Sequence, residues 1–302
     1  MRGSRRECGV SLLLALVCFA LQQQQRAAGY LLQPLASSLL DKVRAAVGPS
    51  LRERPGFAFS LGVNSWRSAG FEGQTTCLSG SKVRWLCLST FAAAAATSSS
   101  SSSSSSPRPP LETGTGAPSE EEELLDLTVF ADASVDVPHL RISLARDAAT
   151  GATRAQVDYL PRQELLSSLA HYDKYFASLD QEQTALLAST RTAPLQQPPR
   201  LPLLSRMVAS PFMVDVLLPP EPPEAAPLLL LPLLCHSHID RWCQWMQAAE
   251  PSATPLPVVN ARDASVAQVL FEEYKLRFAC VLGRDFAPMA EPLALCCIGP
   301  AE

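Results

Sequence analysis

Apolar residues recur at helical spacing over residues 30–47. Leu31, Leu35, Leu39, Leu40, Val43 and Val47 share one face there, and Gly48-Pro49 ends the run. The period then changes to two. Over 140–144, Leu140, Ile142 and Leu144 alternate with Arg141 and Ser143, which predicts a strand with one apolar and one polar face. Further strands are predicted over 57–63, 82–88 and 125–130. A turn over 147–153, with Thr150-Gly151 inside it, returns the chain into a strand over 154–159.

The stretch 156–180 organises the rest. Its strand ends at Asp158 and Tyr159, and Pro161 keeps Leu160 extended. Leu165, Leu166, Leu169, Tyr172, Tyr175, Phe176 and Leu179 then fall on one face of a helix, with Arg162, Glu164, Asp173 and Lys174 largely on the remainder. Residues 196–202 read as a linker, and 203–208 and 213–218 as strands meeting at Ser210-Pro211. Residues 239–249, carrying Trp242, Trp245 and Met246, read as a helix, and 264–278 as another or as a helix running into a strand. The tail beyond Gly283 shows no clear pattern. Strands with hairpin-like returns, punctuated by helices, imply an α/β domain with an antiparallel or mixed sheet flanked by helices.

Composition sets the boundaries. Arg2, Arg5 and Arg6 precede an apolar run over 10–21 with Cys18 and Ala20 near its end, so 1–29 reads as a signal-type leader, too short for a stable membrane span. Residues 92–118 are an alanine run, a serine run and Pro-Arg-Pro-Pro, a composition that buries too little apolar surface to order itself. The acidic residues Glu120 to Glu123 extend it as solvated carboxylates. A single domain over 30–302, interrupted at about 92–123, follows. Residues 219–232 are rich in proline and leucine, but Leu228 to Leu231 are too few to span a bilayer. A net charge of -4 with no long basic tract argues against a nucleic-acid partner. Nine scattered or adjacent cysteines fit free thiols better than a disulfide framework.

No glycine-rich nucleotide loop, nucleophile elbow or His-Glu-x-x-His is present, so the sequence does not support a nucleotide- or flavin-binding enzyme. Cys235, His236, His238 and Cys243 are of zinc-ligating types but lack a second close pair. Cys296-Cys297 is a redox candidate by residue type alone.

Asp158, Pro161-Arg162, Glu164-Leu165, Tyr175-Phe176 and the later Arg206-Met207-Val208-Ala209-Ser210-Pro211 together resemble the red chlorophyll catabolite reductase family, related to the ferredoxin-dependent bilin reductases. Weaker similarity extends over 125–128, 138–144 and 262–283. The resemblance implies an α/β/α sandwich with a central, largely antiparallel sheet. It also implies an enzyme that reduces an open-chain tetrapyrrole with electrons from reduced ferredoxin, binds no cofactor of its own, resides in a plastid and in some cases forms homodimers. A signal-type leader ahead of such a protein implies a bipartite plastid address.

The same resemblance suggests roles for individual residues. Glu273 falls where the family carries a substrate-pocket aspartate and would supply protons. Ser143 falls where the family carries a glutamate, a departure that removes a carboxylate. Arg206, before Ser210, would pair with a propionate of the pigment. Ala209 falls where a residue steers stereochemistry. Asp158 matches a family aspartate, or caps the turn ahead of the helix. Two alternatives stay open: a bilin reductase acting on a haem-derived bilin, and a non-catalytic tetrapyrrole scavenger, which the Ser143 departure favours.

Overall fold

The computed structural model describes residues 32–48, 50–54, 65–68, 71–93, 122–147, 150–163, 165, 168–179, 203–218, 230–282 and 287–299. The leader at 1–29, the strand expected at 57–63, most of the 92–123 segment, the linker at 196–202 and residues 219–229 lie outside them.

The first helix, α1 (Leu32–Val47), buries Leu35, Ala36, Leu39, Leu40 and Val43. It ends at Gly48, whose φ of 82° lets its N–H reach the Arg44 carbonyl. Two short strands, β1 (Arg52–Glu53) and β2 (Ser65–Ser68), both pair with β3 (Phe71–Ser79). A meander follows: β4 (Val83–Ala93), β5 (Glu122–Ala131), β6 (His139–Asp147) and β7 (Thr153–Leu160). Then come α2 (Leu169–Tyr175), α3 (Leu203–Val208), β8 (Val214–Leu218), α4 (Leu230–Gln247), α5 (Leu256–Leu282) and α6 (Ala287–Ile298). The sheet runs β1-β3-β4-β5-β6-β7-β8 with β2 also on β3, and every pairing is antiparallel.

Strand alternation produces two layers. Leu125, Leu127, Leu140, Ile142, Leu144, Val157 and Tyr159 face one side and form a core with α1, α2 and α4. Trp85, Phe91, Leu124 and Phe130 face the other side, under Val266, Leu270, Tyr274 and Phe278 of α5 and Leu293 of α6. The result is the expected α/β/α sandwich with a central antiparallel sheet.

A buried charge network fastens α5 to the sheet. Asp263 interrupts the apolar stripe of α5 and is fully buried. Arg162 holds its carboxylate with Nε at 3.1 Å and Nη2 at 2.6 Å, and His139 Nε2 lies 2.9 Å away. Arg162 also donates to the carbonyls of Asp132 and Val135. The Ala131 N–H donates to His139 Nδ1, which assigns the ring proton to Nε2. Burial pushes His139 down to about 4, so it is neutral at pH 7. Burial alone would raise Asp263, but His139 and Arg162 outweigh it and hold the carboxyl at about 2; with His139 neutral, Arg162 supplies the charge.

Several expectations are corrected. Arg162 is buried, not on a solvent face, and the helix begins only at Leu169. Asp263 holds Arg162, and Gln163 is bonded to Asp136 and Ser168, which keeps both residues out of the helix. Leu169 is exposed. Residues 203–208 form a helix, not a strand, because six apolar-rich residues carry no decisive period. The strands β2 and β3 and the helix α6 had no sequence forecast. Glu123 is not solvated: it lies in β5, buried, accepts the Leu32 N–H at the start of α1 and sits 3.8 Å from Arg146.

Two outcomes are expected. Asp263→Ala leaves Arg162 buried without its counter-ion and should cost about 3–5 kcal/mol in urea unfolding; Asp263→Leu combined with Arg162→Met should cost far less. Joining β4 to β5 by a short turn in place of 94–121 should keep the cooperative melt and add no more than about 2 kcal/mol of stability through the shorter loop; a lost transition would show that the segment is structural.

Candidate functional site

The face of the sheet beneath α5 is polar, and strand register sets the pattern. One row crosses six strands as Thr75, Ser89, Asp126, Ser143, Gln156 and Asp215. The next row runs Cys77, Cys87, Thr128, Arg141 and Asp158. Because side chains alternate along each strand, each row stands opposite the apolar core of the other layer.

Polar side chains of α5 close over these rows. Glu273 forms a two-point ion pair with Arg141, one contact being 2.9 Å from Nη1 to Oε2. Arg277, one turn further along, donates to Asp126 Oδ1 at 2.8 Å and to Ser143 Oγ. The Tyr274 and Thr128 hydroxyls are 2.6 Å apart, and the Arg141 guanidinium lies over the Tyr274 ring. Asp126 is 1% exposed, and its second oxygen, like Arg141 Nε, has no hydrogen-bond partner among the described residues. A buried carboxylate oxygen and a buried guanidinium N–H are costly to leave unpaired, so each calls for a water or a ligand as partner.

Beside this cluster, Arg141, Gln156, Asp158, Leu160, Val208, Ala209 and Met213 line a recess of ≈ 10 Å³, room for about one water. Asp158 accepts from the Ser210 N–H at 3.0 Å and contacts Ser210 Oγ at 2.5 Å. Burial pushes its carboxyl up to about 7, against the opposing pull of the Ser210 bonds and Arg141. It is therefore poised to hold a proton near neutral pH while facing the recess.

Of the residues singled out from the sequence, Ser143, Asp158, Ala209, Ser210 and Glu273 converge here. Arg206 does not: it is exposed on α3, because 203–208 is helical and turns it away from the strand end expected for it. Asp158 reaches across to Ser210 instead of capping the turn at Pro161. Asp126, Arg141, Tyr274 and Arg277 went unmarked as site residues. The alternation Leu125-Asp126-Leu127-Thr128-Val129, beside Leu140-Arg141-Ile142-Ser143-Leu144, carried the signal for the sheet pair.

The zinc-type residues of α4 serve packing. His238 Nδ1 lies 2.9 Å from the Tyr159 hydroxyl, Cys243 donates to the Lys42 carbonyl, and Cys235 is buried. Among the described residues no group of three or more His, Cys, Asp or Glu could hold a metal, and no helix is long and apolar enough to cross a membrane. Cys296 and Cys297 are buried and form no disulfide among the described residues, with Trp85 Nε1 donating to the Cys296 carbonyl at 2.8 Å.

No family model matches the chain, and no curated protein is similar to it at a significant level. Among solved structures, the chain is similar to phytochromobilin synthase from tomato in complex with biliverdin, with a TM-score of 0.61 and 14% identity over 89% of this chain and 85% of that one. At that identity the likeness shows a shared fold.

The raised Asp158 group has a measurable consequence. An unfolded aspartate titrates near 3.9, so the native state binds this proton more tightly than the unfolded state does. Its contribution is fully present below about pH 4 and is lost as pH rises to about 7, at most about 4 kcal/mol. Asp158→Asn, which keeps an acceptor and a donor toward Ser210, should flatten stability against pH over that interval in urea titrations. An unchanged slope would place the carboxyl in ordinary ionised form.

Proposed function

We propose that this protein is a ferredoxin-dependent reductase of an open-chain tetrapyrrole. The observation that carries the reading is Asp158: a buried carboxyl titrating near neutrality, on a polar sheet face under a helix, in the fold of a protein solved with biliverdin. A recess of ≈ 10 Å³ admits no pigment, so binding requires the Arg141–Glu273 and Arg277–Ser143 contacts to part. Once parted, Arg141 and Arg277 offer guanidinium forks to the carboxylates or ring oxygens of the pigment. The Asp126 oxygen that has no partner among the described residues accepts from pyrrole N–H groups.

The reaction balances as two electrons from two reduced ferredoxins plus two protons, which saturate one double bond of the pigment while the ferredoxins are oxidised. Asp158 gives one proton to the carbon that becomes basic after the first electron arrives, and is recharged from water. Glu273 is an acceptor while both its oxygens face Arg141; freed when Arg141 turns to the pigment, it is placed to serve the second proton. The Ser143 departure then matters less, because Asp126 stands opposite it in the same row and supplies a carboxylate.

The residue pattern around Asp158, Pro161-Arg162 and Ser210-Pro211 favours a chlorophyll-derived substrate in a plastid. The fold neighbour bound to biliverdin favours a haem-derived bilin as the second reading. A ferredoxin-driven assay offering red chlorophyll catabolite and biliverdin separately decides between them, with absorbance and fluorescence as readouts. One pigment should be reduced. Asp158→Asn should lower its turnover about a hundredfold, about 2.7 kcal/mol of barrier, with pigment binding retained. Normal turnover in Asp158→Asn would remove the assigned proton donor. Tight binding of either pigment with no turnover would make the protein a scavenger.

A further inference from the structure

A second recess lies away from the polar rows, where the segment after α1 meets the β3–β4 turn and the end of β5. Ser50, Arg52, Arg54, Ser79, Gly80, Arg84 and Asp132 line it, and its volume is ≈ 350 Å³, against ≈ 10 Å³ at the candidate site. Three guanidinium groups share this space on a chain whose net charge is -4. Among the described residues none of the three has a carboxylate within ion-pair distance, whereas most other arginines of the fold do.

The acids nearby are engaged elsewhere. Asp132 Oδ1 accepts from the Ser134 N–H at 2.9 Å and from Ser134 Oγ at 2.6 Å, and Glu53 leans to Arg44 at 3.4 Å. Arg54 is held in place by its Nε bond to Ser79 Oγ at 2.6 Å, and Arg84 lies over the Phe130 ring. Two of the guanidiniums are thus pre-oriented, and no further hydrogen bond of theirs is made among the described residues. Ser50 Oγ is buried with no hydrogen-bond partner among the described residues. A side chain on Gly80 would come 2.9 Å from the Ser50 carbonyl, so glycine is what lets the turn sit this close. Like charges gathered without a counter-ion repel one another, and a multivalent anion relieves that cost. Arginine forks match the oxygen spacing of phosphates, and the volume falls in the range of small-ligand pockets.

We infer that this recess binds a multivalent oxyanion of the diphosphate kind, held by Arg52, Arg54 and Arg84. The inference goes beyond the reductase reading and does not depend on it. Isothermal titration of the full chain with pyrophosphate, orthophosphate and citrate tests it. Pyrophosphate should bind most tightly, with an affinity that falls as salt rises. Arg52→Gln and Arg84→Gln should each weaken it about tenfold or more, and Arg84→Lys should weaken it less than Arg84→Gln. If loss of the Phe130 contact keeps Arg84→Gln from folding, exposed Arg52 decides alone. No binding of pyrophosphate at millimolar concentration, or an unchanged affinity in Arg52→Gln, overturns the site. Citrate binding as tight as pyrophosphate overturns its assignment to phosphate.

Discussion

The fully buried carboxylate of Asp263, clamped by Arg162 and touched by His139, fixes where α5 lies. It is the one charge on a stripe otherwise made of Val259, Val266, Leu270, Tyr274 and Phe278. An apolar stripe by itself permits sliding by a turn, because Leu270, Tyr274 and Phe278 repeat at four-residue spacing. A charge with one partner does not, since any other register leaves two ions buried and unpaired. With Asp263 pinned at the rim of the sheet, Glu273 and Arg277 fall over Arg141, Asp126 and Ser143 and nowhere else.

That placement closes the polar face. Two guanidiniums from opposite sides, Arg141 from the sheet and Arg277 from the helix, each take a carboxylate of the other side. The exchange pairs charges across the two layers, which explains how a sheet can carry two polar rows under a helix and remain packed. Among the described residues it is incomplete at Asp126 and at Arg141 Nε, and burial raises Asp158 to about 7 against the opposing pull of Ser210 and Arg141. Arg141 and Asp158 line the recess, and Asp126 lies two strands from Asp158 on the same sheet face.

The opposite layer is mostly apolar, although the His171 Nε2 and His236 Nδ1 atoms there have no hydrogen-bond partner among the described residues. Its apolar rows meet α1 and α4, and polar groups that enter it are spent locally: Tyr159 donates to the His238 carbonyl, and Trp242 Nε1 donates to the Pro138 carbonyl. The histidines and cysteines of α4, suggestive of a metal by type and spacing, have become packing elements because the helix directs them toward separate neighbours. Residue type without convergence is weak evidence for a site.

The sequence alone determined the elements whose period is long and clean. The helix at 30–47, the return from 140–144 through Gly151 to 154–159, and the two-faced strands were legible because alternation and spacing are local properties. Resemblance also singled out Asp158, Ser143 and Ser210, and the fold places them on or beside one sheet face. What only the tertiary structure decided is everything that depends on a distant partner. Arg162 is buried because Asp263 lies opposite it, 101 residues along the chain. Residues 203–208 are helical because they pack on α5, not from any period of their own, and Arg206 turns outward with them. Asp126 joins the candidate site only when Arg277 crosses over it from α5. Burial, and with it the cost of a charge, belongs to the assembled layers, so no local pattern in the chain could have revealed it.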